Sequence, residues 1–104
     1  MKRTIFSALL AVIAIQMTAQ TFSISGTVLD KATGKPIEFA TIALTKTEQW
    51  AVADADGKFT IQNVQKGTNE ISVSCLGYVP DTKEINISKD ILSYKIFLKE
   101  DNLA

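Results

Sequence analysis

The chain has 104 residues, with 11 Lys and Arg against 11 Asp and Glu, one cysteine and no histidine. That length supports one small domain, and its scattered, balanced charge lacks the basic stripe that nucleic acid or an anionic membrane surface requires. The missing histidine removes Ser-His-Asp and Cys-His nucleophilic pairs and the commonest zinc ligand, while a single cysteine excludes an internal disulfide.

Residues 1–19 form a separate object. Lys2 and Arg3 start it, an uncharged and mainly apolar run follows from Ile5 to Ile15, and Met17-Thr18-Ala19 offers a small residue for cleavage. This is the three-part layout of a secretory signal peptide. The run is shorter than the roughly 20 residues a membrane-spanning helix needs. No cysteine stands at the cut, which argues against a lipid anchor. Export is therefore expected, with a mature chain starting at Gln20 and made slightly acidic by the loss of Lys2 and Arg3.

The rest alternates apolar and polar residues at period two, punctuated by Gly, Pro, Asp and Asn. Phe22, Ile24, Gly26 and Val28 share one face of a first predicted strand, and Asp30 to Pro36 forms a loop. Ala40, Ile42 and Leu44 face inward on a second strand, with Thr41 and Ala43 opposite. Ile37 and Phe39 fall out of phase with that trio, which predicts an irregular lead-in. Trp50 and Val52 belong to a third strand. Asp54-Ala55-Asp56-Gly57 reads as a tight hairpin turn, after which Phe59 and Ile61 resume the inward face. Val64 is expected under the next loop, which turns at Lys66-Gly67-Thr68-Asn69. Ile71, Val73 and Cys75 line a fifth strand, Ile85 and Ile87 a sixth, and Leu92, Tyr94, Ile96 and Leu98 a seventh. Seven short strands with turn signals every eight to twelve residues predict an all-β fold, a seven-stranded antiparallel β-sandwich.

Few side chains point to chemistry. Asp54 and Asp56 before Gly57 have the start of a calcium loop, but the position that would supply the bidentate carboxylate is Gln65. A turn held by Asp54 is the better reading, and no metal or cofactor is expected. Cys75 sits in register with Ile71 and Val73 and reads as a small core residue. Trp50 could stack on a sugar ring as a ligand contact, although packing at the core or an edge is the favoured reading. Tyr78 is expected to pack its ring and bond its hydroxyl to nearby backbone. The acidic residues Asp30, Glu48, Asp54, Asp56, Asp81 and Asp90 fall in turns and on solvent faces, which leaves no paired carboxylates in a cleft. No catalytic residue is assigned.

Five pieces of the sequence, in order, carry a resemblance. Gly26-Thr27-Val28-Leu29-Asp30, Thr33-Gly34-Lys35-Pro36, Ala40-Thr41-Ile42-Ala43-Leu44, Asp54-Ala55-Asp56-Gly57-Lys58-Phe59, and Gly67 through Val73-Ser74 to Gly77-Tyr78 together resemble the carboxypeptidase regulatory-like domain. The resemblance implies a transthyretin-like or Ig-like sandwich over residues 20–99, with 100–104 as a linker or truncated end. A signal peptide followed at once by this domain is similar to the start of TonB-dependent outer-membrane receptors. It implies a non-catalytic accessory domain in the periplasm or outer membrane of a Gram-negative bacterium, partnered by receptor plug and barrel segments or other envelope proteins. The alternative is a free secreted or periplasmic module that holds a carbohydrate or protein through loops, an edge strand or Trp50.

Overall fold

The computed structural model describes residues 20–101; the predicted signal peptide, residues 1–19, lies outside them. The described residues form seven strands and no helix: β1 Thr21–Asp30, β2 Thr41–Leu44, β3 Gln49–Val52, β4 Lys58–Gln65, β5 Gly67–Ser74, β6 Asp81–Ile87 and β7 Ile91–Leu98. They make two sheets, one ordered β4-β1-β7 and the other β3-β2-β5-β6. The inner faces meet in one core, with Ile24, Val28, Ile61 and Leu98 from the first sheet against Ile42, Leu44, Val73 and Ile87 from the second. Each such side chain contributes about 1.5–3 kcal/mol by leaving water. With Cys75 unpaired, this packing carries the stability that a disulfide framework would otherwise supply.

The all-β sandwich expected from the alternation is present, with four local differences. First, one pairing is parallel: β1 runs alongside β7, from Ile24 opposite Ile91 to Asp30 opposite Leu98. The five intervening strands supply the long crossover that parallel neighbours require. Second, Asp54–Gly57 turns tightly but is no hairpin, because β3 and β4 belong to different sheets. Third, the turn after β4 is tighter than the Lys66–Asn69 loop expected. Asn69 lies within β5, buried, and its Oδ1 accepts the Lys46 and Glu70 amides at 3.1 and 2.8 Å. Fourth, two bulges reset strand phase. Between Phe22 and Ile24 of β1, β4 inserts one extra residue around Asn63, whose φ of 60° carries Val64 into the core as a strand residue. Between Ile24 and Gly26, β7 also inserts one, so that Ile91 packs inward and Leu92 is turned out to 70% exposure.

Gly26 is where the first sheet is tightest. A Cβ there would meet the Tyr94 carbonyl oxygen and lie 2.8 Å from the Phe59 ring, so β1 can pass between β4 and the β7 bulge only as glycine. Gly57 is constrained twice. Its φ of 72° favours glycine, and a Cβ would lie 2.6 Å from the Val28 carbonyl oxygen.

The β1–β2 connection and the connections after β3 and after β5 all lie at one end of the sandwich, together with the segment following β7. There the Val28 amide donates to Gly57 and the Asp30 amide to Lys35, both at 2.8 Å. The Val79 amide bonds Lys99 at 2.8 Å, and Asp101 donates to Gly77 at 2.9 Å. At the centre sits Asp30, buried at 7% exposure rather than on the solvent face expected of it. Its Oδ1 accepts the Ala32 and Thr33 amides at 2.8 and 3.1 Å. Its Oδ2 accepts the Tyr78 hydroxyl at 2.9 Å, so Tyr78 bonds this carboxylate and not nearby backbone. The Tyr78 hydrogen bond is the largest cause that holds the Asp30 carboxyl below its ordinary range, and the same bond pushes the Tyr78 phenol above its own.

Two outcomes follow from this geometry. Gly26→Ala is expected to destabilise the fold by about 1–3 kcal/mol, the usual range for overpacking, measured by urea denaturation. A loss below a few tenths would refute the tight passage. For the corner, a carboxyl lowered in the folded state stabilises above the ordinary carboxylate range and loses that contribution as pH falls through its folded value. A phenol that is raised stabilises below the ordinary phenol range and loses it as pH rises. Tyr78→Phe should therefore lower Tm by several degrees, by a margin constant from about pH 5 to about pH 9. The margin should narrow at both extremes in thermal melts run across pH. A margin that does not change with pH would show that the hydroxyl is not bonded to a titrating carboxylate.

Candidate functional site

On the outer face of the four-stranded sheet, Trp50 and Val52 of β3 project on the same side, 66% and 46% exposed. The favoured expectation had packed Trp50 at the core or an edge. Period two decides otherwise, because Ala51 and Ala53 take the inward positions and leave the indole to solvent. Trp50 pairs across to Ala43, which in turn pairs with Ser72, and Ser72 with Thr82. Small and hydroxylated residues thus extend from the indole as a low shelf. Gln49, on the opposite face, ties β3 to the other sheet by donating to the Gln62 and Asn63 carbonyls at 2.9 and 3.2 Å. The strand that carries Trp50 is therefore held at its base.

The other sequence candidates resolve into structure. Asp54 Oδ1 accepts the Asp56 and Lys58 amides, each at 2.9 Å, which is the local turn bond expected of it. Among the described residues no group of three or more Cys, Asp or Glu side chains could hold a metal ion. Cys75 falls just past the end of β5 and is half-buried, with Sγ 3.8 Å from the Glu38 carbonyl oxygen. Asp30 and Tyr78 are committed to each other, and Asp30 also to the amides of Ala32 and Thr33.

Two further surfaces escape a reading by alternation. At the corner end, Phe39, Leu76 and Val79 are 70%, 99% and 44% exposed. Phe39 holds a φ of 69°, an unusual conformation for a bulky residue, with its amide bonded to the Ala53 carbonyl at 3.0 Å. The irregular lead-in to β2 was legible from phase, whereas the outward aim of the ring was not. On the outer face of the three-stranded sheet lies a groove of about 350 Å³ lined by Ser25, Thr27, Lys58, Thr60, Leu92 and Lys95 among others.

No match to the sequence was found among curated proteins. Among solved structures, one similar chain belongs to a type II cohesin–X-dockerin complex from Acetivibrio cellulolyticus. It is 21% identical over 74% of this chain and 56% of that one, with a TM-score of 0.64. A proposed carbohydrate-binding protein from Bacteroides uniformis is 18% identical over 73% of this chain and 40% of its own, at a TM-score of 0.58. The pilus 2b backbone protein of group B streptococcus is 13% identical over 83% and 43%, at 0.60. In each case the chain spans less than two thirds of the solved chain, and at these identities the likeness is one of fold. A family profile described as the CarboxypepD_reg-like domain matches residues 24–104. That span takes in Asp30, Gly57 and Tyr78 at the corner, and it makes this chain a member of the carboxypeptidase regulatory-like domain family.

Proposed function

We propose that the domain is a non-catalytic, periplasmic N-terminal accessory domain of a TonB-dependent outer-membrane receptor, which docks through its corner end against the plug that follows. The observation that carries this reading is the coincidence of exit and apolar surface. Lys99–Asp101 is pinned to Gly77–Val79, which sets Asp101 beside the turn that carries Leu76 and Val79, with Phe39 on a neighbouring turn. Exposed large apolar side chains gathered at one place mark contact surfaces. The export pattern in residues 1–19 supports the same placement. The polypeptide carrying this sequence should fractionate with the outer membrane and migrate far above the 11.3 kDa of the chain itself when detected with antibody to the folded domain. Recovery at about its own size from periplasm or medium would overturn the receptor reading.

Trp50 favours a second reading, a free module that binds carbohydrate or protein. An exposed indole beside a shelf of small residues suits the apolar face of a pyranose, and the Bacteroides uniformis protein of similar fold is described as carbohydrate-binding. On this reading a neutral oligosaccharide such as maltotriose or cellotriose shifts Trp50 fluorescence. Trp50→Ala should abolish binding measured by calorimetry while changing stability by less than about 0.5 kcal/mol, the usual range for a surface site. Binding that survives the substitution would remove Trp50 from the site.

A further inference from the structure

We infer that the outer face of the β4-β1-β7 sheet is a binding groove for an acidic saccharide, separate from Trp50 and independent of the receptor reading. Thr27 on the central strand pairs with Lys58 of β4 on one side and Lys95 of β7 on the other. The two lysines thus stand in one cross-strand row, about 10 Å apart at the backbone for two strand spacings. Neither has an acidic side chain within ion-pair distance among the described residues, in contrast to Lys83, which meets Asp81 at 3.8 Å. Two ammonium groups without an ion-pair partner thus line one groove, where a bound anion can pair with both. The other sheet's outer face has the opposite sign, with Glu70 directly across from Glu84, so the molecule presents an anion with one attractive face.

The remaining lining specifies more than charge. Ser25 Oγ and Thr60 Oγ1 lie 3.1 Å apart in a hydrogen bond on the groove floor, and each hydroxyl keeps further donor or acceptor capacity. Thr27 and Ser93 add two more hydroxyls. Leu92 supplies an apolar patch there because of the β7 bulge. In regular phase that leucine would have pointed into the core, and bulges recur where a side chain is re-aimed at a site. Ammonium groups for a carboxylate, hydroxyls for ring hydroxyls and one aliphatic face for a ring's C–H face describe a uronic-acid type of sugar. The volume of about 350 Å³ lies in the range of small-ligand sites.

The test is an amide NMR titration of the full chain with trigalacturonate, with maltotriose and inorganic phosphate as controls at matched concentration and low salt. Shifts should centre on Ser25, Thr27, Lys58, Ser93 and Lys95, stay small with maltotriose and phosphate, and weaken as salt is added. The Lys58→Gln/Lys95→Gln double variant should bind at least tenfold more weakly with an otherwise unchanged spectrum. Leu92→Ser should weaken binding several-fold at unchanged Tm. The single Lys58→Gln variant, expected to weaken binding in the same direction, stands in should the double variant not fold. Absence of shifts, equal response to maltotriose, equal response to phosphate, shifts centred on Trp50, or unchanged binding by the lysine variants would each overturn the inference.

Discussion

Asp30 Oδ2 accepts the Tyr78 hydroxyl at 2.9 Å while its Oδ1 holds two amides of the loop that follows β1. Through those three bonds a strand of one sheet, its outgoing loop and the turn after β5 of the other sheet share one fixed corner. Further backbone bonds join Gly57 and the segment after β7 to the same place. A buried carboxylate without these donors would carry a large desolvation penalty, so each of the three bonds supports the others. The opening G-x-V-x-D and the closing G-Y of the family pattern, some fifty positions apart in the chain, are the two halves of this contact. Gly57, from the D-x-D-G piece, lies against the carbonyl of Val28 beside it.

That arrangement explains what the sequence made legible. Strand existence, the inward faces of β1, β2 and β5, and the irregular lead-in at Phe39 all follow from local alternation, which records burial directly. The Asp54 turn was legible too, because an Asx bond closes within four residues. Long-range facts were not. The parallel β1–β7 pair, the sheet change across Asp54–Gly57 and the Asp30–Tyr78 bond depend on which strands become neighbours, and period two is silent on that. The bulges show the same limit in miniature. Leu92 and Ile91 are equally apolar, and only the extra residue in β7 decides which of them packs.

Trp50 shows how the same rule misleads about sites. Large aromatics usually pack at a core or an edge, and that was the favoured expectation. Yet Ala51 and Ala53, the small neighbours, take the inward places, since β3 runs close over β4 where Gln49 bonds the Gln62 and Asn63 carbonyls. The lysine groove on the opposite side was invisible for a different reason. Lys58, Thr27 and Lys95 are far apart in the chain, and only the register of three strands sets them in a row. The two outer faces consequently differ in charge, one carrying Glu70 and Glu84 with Trp50, the other Lys58 and Lys95 with the exposed Phe97.

The parallel pairing of β1 with β7 has a mechanical consequence. The chain enters the sandwich at Thr21, at the end opposite the corner, and leaves at Asp101 beside it. A pull applied between these two points runs along β1 and β7 in opposite directions. From Gly26 to Asp30, beyond the β7 bulge, the bonds of the parallel pair lie across the pull and bear it together in shear. The first and last strands of the domain thus form a clamp that resists extension along its own axis.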